Sequence, residues 1–188
     1  SSKLERVFNL CTSPLANNLA ISLKQSLRAK KFPLHLMFCK KCKHVQLEHV
    51  VDQKKLYLKY LYMTGVSMQF KKHFKKYADK VTKYYDKNEK LKVLEIGSND
   101  CTLLNFFKQK KWKTVGVEPA KNLYKKTNKG HEILNSFYNL KTNSYLKKKF
   151  TNFDLIVANN VFAHIDNLQS TFTMLESLMN KNSLIVFE

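Results

Sequence analysis

Two carboxylate-bearing segments, about 20 residues apart, carry the clearest chemistry in the sequence. The first is the string VLEIGSNDC, in which Glu95, Asn99 and Asp100 surround Gly97. The second is the string GVEP, which contains Glu118. Glycine has no Cβ, so backbone can approach a ligand closely there, and a carboxylate one strand later suits a ribose diol. We therefore predict that these five residues bind a cofactor that contains a nucleoside.

The composition of this loop narrows the class of cofactor. The loop does not have the G-x-G-x-x-G pattern and has no P-loop lysine, and its carboxylates would repel a pyrophosphate. These features argue against NAD and ATP. The same carboxylates tolerate the positive sulfonium and amino groups of S-adenosylmethionine (SAM), so SAM is the predicted cofactor.

A third polar segment, ANNVFAHIDN, follows a later apolar run. Asn159 and Asn160 are predicted to lie at the same edge of a sheet as the loop, facing cofactor and substrate. His164 comes four residues after Asn160, within reach of the reacting groups, and its ordinary pKa of about 6.5 suits a general base or a substrate-orienting group. The alternative is a histidine at a helix start, bonded to Asp166 or to a backbone carbonyl.

Apolar runs from residue 91 onward alternate between strand and helix patterns. Short runs predict strands at 92–96, 114–117, 132–135, 154–158 and 183–187. Amphipathic stretches predict helices at 103–110, 120–128, 140–150 and 168–179. Strands separated by helices are typical of a parallel sheet built from right-handed crossovers. The sequence thus predicts an α/β fold, a Rossmann-like parallel sheet with helices on both faces.

The segment before this sheet has a different character. Short strands are predicted at 34–38 and 45–47, around a knuckle in which Cys39 and Cys42 are spaced to bind one metal ion together. Residues 66–86 space apolar groups at helical intervals, with lysines on the other face. We predict a partial zinc-binding or substrate module at 1–58, a connecting helical segment at 59–87 and a SAM-binding domain at 88–188.

The chain is strongly basic, with a net charge of +20. Lysines are spread along the whole sequence, so we favour a solvated lysine-rich surface over a dedicated nucleic-acid face, although a sugar-nucleotide substrate would also suit a positive field. No apolar run approaches the roughly 20 residues that cross a bilayer. The first ten residues lack the apolar stretch of a signal peptide. These features predict a soluble, cytoplasmic protein with no membrane partner.

Seven strings occur in an order that is known from one enzyme family: PLANNL, PLHLMFCKKCKHVQL, YLYMTGVS, VLEIGSND, GVEPAKN, ANNVFAHIDNL and IVFE. Together, over nearly the whole chain, they resemble the SAM-dependent sugar-nucleotide C-methyltransferases. The resemblance implies a zinc module (Zn²⁺) before a class I methyltransferase domain. It also implies methylation, through an enolate, of a carbon in a nucleoside-diphosphate-linked deoxy-keto-hexose. Tyr60 and Tyr62 would then lie at cofactor and sugar as catalytic phenols, with plain ring packing as the alternative.

The sequence departs from the family pattern in three places. The family holds zinc with two C-x-x-C pairs and this chain has one, so His44 or Cys11 would have to substitute, although Cys11 stands where the family has glycine. Cys101 also stands at a glycine position, where its Cβ would either crowd the methionine part of SAM or be tolerated at a helix start. The chain ends before the family's Tyr-His-Glu-His segment, so we expect a fragment truncated at both ends.

Two other functions are compatible with these observations. The positive charge allows an RNA-directed methyltransferase or binding module, which would bind nucleic acid in a salt-dependent way. Cys101 and the expected truncations allow a non-catalytic remnant that binds SAM or nothing.

Overall fold

The computed structural model describes residues 3–85, 90–127 and 130–188. The chain divides into two compact units, Ser1–Tyr62 and Met63–Glu188. Of the predicted connecting segment, residues 59–62 lie in the first unit and residues 63–85 in the second. The boundary expected between residues 87 and 88 lies outside the described residues, as do the last residues of the helices expected at 66–86 and 120–128.

The first unit is built on an antiparallel sheet with the strand order β1-β2-β3. Its strands are β1 (Leu4–Pro14), β2 (Lys31–Cys39) and β3 (Val45–Leu47). The last two correspond to the strands expected at 34–38 and 45–47. Two short helices complete the unit, α1 (Leu23–Leu27) and α2 (Gln53–Tyr57), and they begin at the side-chain caps Ser22 and Asp52.

The sequence pattern does not predict β1, although it is the longest strand of the first unit. Its pairing with β2 shifts register twice, between Arg6 and Phe8 and between Asn9 and Thr12. Each irregularity breaks the alternation of apolar and polar residues by which a strand is recognised. Cys11 lies within the second irregularity and has a φ of 60°, a left-handed conformation that favours glycine.

The second unit contains a five-stranded sheet with the order β6-β5-β4-β7-β8, in which every neighbouring pair is parallel. Its strands are β4 (Lys92–Ile96), β5 (Lys113–Val117), β6 (Glu132–Leu134), β7 (Leu155–Ala158) and β8 (Leu184–Phe187). All five expected strands are therefore confirmed, and so is the parallel sheet.

Helices cover both faces of this sheet, as the sequence predicts. They are α3 (Met68–Val81), α4 (Thr102–Gln109), α5 (Lys121–Thr127), α6 (Leu140–Phe150) and α7 (Leu168–Ser177). Alternate residues of a strand point to opposite faces. Val93 accordingly joins one apolar cluster, with residues of α3 and α4, whereas Leu94 joins the other, with residues of α6 and α7. No helix in the described part of the chain is long and apolar enough to cross a membrane.

Cys101 caps the start of α4 in the left-handed conformation, with φ 61° and ψ 20°. Its side chain is only 1% exposed and belongs to the apolar cluster that contains Leu103, Leu104 and Phe107. Of the two outcomes expected for this residue, the structure agrees with tolerance at a helix start. The consequence is backbone strain, because a Cβ in this conformation costs roughly 1–2 kcal/mol.

Replacing Cys101 by glycine and by alanine isolates that strain. Both variants lose the thiol packing, but Cys101→Ala keeps a Cβ in the left-handed conformation, whereas Cys101→Gly does not. We expect the glycine variant to be the more stable by about 1 kcal/mol, the reverse of the usual order in helices. Urea unfolding followed by the fluorescence of Trp112, which is buried in the same cluster, measures the difference. An alanine variant as stable as the glycine variant would contradict the strain.

Candidate functional site

The carboxyl ends of three neighbouring strands meet at one edge of the sheet. Ile96 at the end of β4 lies opposite Val117 of β5 on one side and opposite Ala158 of β7 on the other. The residues that follow these strands therefore come from three distant parts of the sequence and lie side by side. Ligands of open α/β sheets bind at such edges.

Gly97 follows β4 and turns the chain back across the edge with a φ of 70°. Its N–H donates to the carbonyl of Val117 at 2.8 Å, and the N–H of Ser98 donates to the same oxygen at 3.2 Å. A Cβ built on Gly97 would lie 2.7 Å from Cγ2 of Val161, in the segment after β7. Glycine is thus needed here both for its conformation and for the close approach of two loops.

Glu118 follows β5 and holds this loop from the neighbouring strand. One carboxylate oxygen accepts the N–H of Asn99 and the other accepts the N–H of Ala120, both at 2.8 Å. Burial raises the pKa of the Glu118 carboxyl, and the two N–H donors oppose that shift. Since each oxygen has two acceptor positions, Glu118 keeps capacity for ligand hydroxyls.

Four buried polar atoms at this edge have no hydrogen-bond partner among the described residues. They are Oε2 of Glu95, Oγ of Ser98, and both Nδ2 and Oδ1 of Asn159. Buried polar atoms in folded proteins are nearly always paired, and each orphan costs about 1–3 kcal/mol. Their residues belong to β4, to the loop after it and to the end of neighbouring β7. The edge is therefore prepared for a polar ligand.

Glu95 is the most deeply buried carboxyl of the site, with 4% of its surface exposed. Burial is the main cause that raises its pKa well above the ordinary value of 4.5, and the negative charges of Asp100 and Glu118 raise it further. The backbone N–H of Leu104 opposes these effects. Glu95 consequently keeps its proton to higher pH than an exposed glutamate, and as a carboxylic acid it can donate as well as accept.

Asn99 and Asp100 have protein partners for their side-chain oxygens. Oδ2 of Asp100 accepts the N–H of Gly65 at 2.6 Å, and its Oδ1 accepts the N–H and the hydroxyl of Thr102 at 3.1 and 2.5 Å. Oδ1 of Asn99 accepts the N–H of Thr64 at 3.0 Å. These two side chains tie the 3-10 turn Thr64–Val66 to the loop, a positioning role where the sequence suggested cofactor ligands.

The sequence-based assignment left out Ser98, Thr64 and Gly65. A Cβ on Gly65 would lie 2.7 Å from Oγ1 of Thr102 and 2.8 Å from Oδ2 of Asp100, so this contact requires glycine. The available signal was the rarity of glycine, since the chain has only four. Nothing in the local sequence indicates a hydrogen bond between residues 35 positions apart.

Asn160 and His164 lie beyond the buried part of the edge. Asn160 is exposed, has a φ of 55° and donates its N–H to the carbonyl of Glu188 at 2.9 Å. His164 ends the 3-10 turn Phe162–His164 with an exposed side chain. The structure thus brings Glu95, Gly97 and Asn159 to the interior of the edge and leaves Asn160 and His164 toward solvent.

Tyr60 and Tyr62 belong to the first unit. Their rings meet edge to face with centroids 6.3 Å apart, and Tyr57 packs against Tyr60 at 5.7 Å. Ring packing, the alternative considered for these tyrosines, is therefore present within their own unit. Their catalytic assignment remains a prediction.

Cys39 and Cys42 form a tight turn after β2. The N–H of Cys42 donates to Sγ of Cys39 at 3.5 Å, and the N–H of Cys39 donates to the carbonyl of His44 at 2.9 Å. Across the described ranges, however, no three histidine, cysteine or acidic side chains group around a common point. The substitution of Cys11 or His44 as a third ligand is thus not seen. Because a structural zinc site needs four ligands, these residues alone do not make one.

Comparisons with known proteins agree with this division of the chain. Residues 1–57 match a family model described as "Putative zinc binding domain", and residues 70–188 match one described as "Methyltransferase domain". Among curated proteins, the C-methyltransferase NovU of Streptomyces niveus is 25% identical over 183 residues. That alignment covers 97% of this chain but 44% of NovU, so the chain spans less than half the length of this relative.

Solved structures show the same fold at low sequence identity. The PH0226 protein of Pyrococcus horikoshii OT3 matches with a TM-score of 0.54 at 13% identity, covering 67% of this chain and 57% of that one. The plantazolicin methyltransferase BpumL, in complex with a triazolic desmethylPZN analog and SAH, matches with a TM-score of 0.51 at 14% identity. That match covers 65% of this chain and 48% of BpumL. The fold is therefore the Rossmann-like fold of methyltransferases.

The raised pKa of Glu95 predicts a pH-dependent stability. Above about pH 4.5 the unfolded chain ionises this carboxyl while the folded protein retains the proton, so the contribution of Glu95 to stability falls as pH rises. Glu95→Gln mimics the protonated acid and removes that loss. We expect its unfolding free energy, relative to the parent chain, to increase from pH 5 to pH 8 by up to about 1.4 kcal/mol per pH unit.

Urea unfolding at several pH values, again followed by Trp112 fluorescence, measures this difference. Glu176→Gln on the exposed side of α7 serves as the matched control and is expected to show no such trend. A Glu95→Gln effect that stays constant with pH would show that Glu95 is ionised in the folded protein.

Proposed function

The chain belongs to the methyltransferase domain family, and from this premise we propose that it binds SAM at the carboxyl edge of β4, β5 and β7. We further propose that it takes part in methyl transfer to a carbon of a nucleoside-diphosphate-linked deoxy-keto-hexose. The observation that carries the proposal is the set of four buried polar atoms without partners, beside the loop that Glu118 holds. Such atoms are expected where a bound molecule completes the hydrogen bonding.

The chemistry of these residues fits the polar groups of SAM. Glu118 has acceptor capacity for the ribose diol, as a carboxylate at this position has in other nucleotide sites. Asn159 offers a donor and an acceptor, and Ser98 offers a hydroxyl. Glu95 supplies a donor in its acid form and an acceptor for an ammonium group when ionised. When bound, SAM supplies a methyl group on a positively charged sulfur, and the carboxyls of the site are compatible with that charge.

The exposed part of the same edge is the proposed place of the sugar. Methylation at carbon requires a base that removes the proton beside the ketone, and a donor that steadies the resulting enolate oxygen. His164 is the candidate base, Asn160 a candidate contact to the substrate, and Tyr60 or Tyr62 the candidate donor. The resemblance of the sequence to sugar-nucleotide C-methyltransferases and the similarity to a relative named as a C-methyltransferase support this assignment.

The proposed zinc-binding role of the first unit rests on Cys39 and Cys42 and on the family match over residues 1–57. Two cysteines supply half of a tetrahedral set. No step of the proposed reaction depends on the metal.

Replacing Asn159 by leucine separates ligand binding from stability. Leucine has a similar volume and removes two unpaired polar atoms, so we expect the unfolding free energy to stay constant or to rise by about 1 kcal/mol. Calorimetric titration should show that affinity for SAM and for S-adenosylhomocysteine falls at least about tenfold, because ligand hydrogen bonds to the amide are lost.

Asn143→Leu is the matched control, since Asn143 is a buried asparagine whose amide is satisfied. Its Oδ1 accepts the hydroxyl of Tyr138 at 2.7 Å and its Nδ2 donates to Ser177 at 3.0 Å. This variant should lose about 1–3 kcal/mol of stability and keep its SAM affinity. Unchanged SAM binding by Asn159→Leu, or no binding by the folded parent chain, would overturn the cofactor assignment and favour a remnant without cofactor.

Proton exchange tests the substrate assignment separately. In D₂O, a deoxy-keto-hexose linked to a nucleoside diphosphate should exchange the proton beside its ketone in the presence of the protein, as followed by NMR. We expect His164→Gln to slow this exchange by about 10²- to 10⁴-fold without changing SAM affinity, whereas His49→Gln in the first unit should have no effect. Equal exchange by the parent and the His164 variant would exclude His164 as the base.

A further inference from the structure

We propose that a groove between α3 and α4 docks a single strand of nucleic acid, a binding function that goes beyond the proposed methyl transfer. The groove has a volume of about 490 Å³ and is open to solvent. Its lining residues are Lys71, Thr102, Asn105, Phe106, Lys108 and Gln109. Each helix contributes one lysine, so a strand lying in the groove would have a cation on either side.

The lysines of the groove lack acidic partners. Helix α3 carries five lysines and one acidic residue, Asp79. That carboxylate already pairs with Lys75 and with Lys110, at 2.7 Å each. In the ranges that the structure describes, no carboxylate lies within ion-pair distance of Lys71 or Lys108. The groove therefore keeps its positive charge available for phosphates.

The positive field also acts on a neighbouring histidine. His131 bonds to the side chains of Asn105 at 3.0 Å and Thr114 at 2.8 Å. Its pKa is lowered mainly by burial and further by the charge of Lys108. The floor of the groove at Asn105 is thus held by a histidine that stays neutral, and the charge at this place comes from lysine.

Phe106 supplies the second element of single-strand recognition. Its ring is partly exposed in the groove and partly packed against the apolar cluster under α4, which keeps it in place. Grooves that bind single strands combine cations along the backbone with aromatic rings on which bases stack. A small nucleotide is favoured less, because small-molecule sites usually bury most of their ligand and this groove is open.

The groove is short. Helix α4 has eight residues and is about 12 Å long, so only a few nucleotides can contact it. Affinity should therefore rest mainly on phosphate contacts and should depend strongly on salt.

Fluorescence anisotropy with a labelled 12-nucleotide oligouridylate tests the proposal on the full chain. Lys71→Glu/Lys108→Glu should weaken binding at least about tenfold and reduce the slope of log affinity against log salt by about 1.4, two phosphate contacts on a single strand. The control Lys141→Glu/Lys148→Glu makes the same charge change on the exposed side of α6 and should weaken binding less than about threefold.

Phe106→Leu separates stacking from charge. It keeps an apolar side chain against the cluster, and it should weaken binding by about five- to tenfold while leaving the salt slope unchanged. Equal losses in the groove and control variants would overturn the proposal in favour of charge spread over the whole surface. Displacement of the oligonucleotide by uridine diphosphate at similar concentration would also overturn it, in favour of a small-nucleotide site. SAM titration of the groove variants should be normal, so this test and that of the cofactor site fail independently.

Discussion

The parallel alignment of β4 between β5 and β7 is the constraint on which the candidate site depends. It sets Ile96 beside Val117 and Ala158, so that three loops leave the sheet at the same edge. The carboxylate of Glu118 then bridges from the second strand to the loop after the first. Residues that are distant in sequence become neighbours because parallel strands all present their carboxyl ends on one side.

The same edge concentrates features that lower stability. Gly97, Asn99, Cys101 and Asn160 all have positive φ values, which only glycine adopts without cost. Buried polar atoms of Glu95, Ser98 and Asn159 add unpaired hydrogen-bonding groups. The apolar clusters on the two faces of the sheet offset these costs. Strain and unpaired polarity that are held by a rigid core are typical of ligand sites, because the bound molecule recovers part of that free energy.

Charge and metal chemistry are distributed differently from the cofactor chemistry. The lysines of α3 lie largely without acidic partners beside α4, and the proposed docking groove accounts for part of the excess positive charge. The two cysteines of the first unit form a turn with the spacing of a metal knuckle, but the described residues complete only half a ligand set. A protein can therefore carry the local signature of a site without the groups that would finish it.

The sequence alone determined the order and type of the elements in the second unit, because apolar periodicity is a local property of the chain. It also indicated Gly97 and Glu118, whose roles depend on residue type and on position after a strand. Only the tertiary structure decided which polar groups are satisfied. Asp100 was expected to contact a ligand, yet its oxygens bind Gly65 and Thr102, and the first of these contacts spans 35 residues.

Asn159 and its neighbour Asn160 are identical in sequence terms, but one is buried without partners and the other is exposed. Strand β1 was likewise hidden, because its register shifts interrupt the alternation from which strands are read. Hydrogen-bond partners, burial and register arise from packing between segments far apart in the chain, so local pattern cannot supply them.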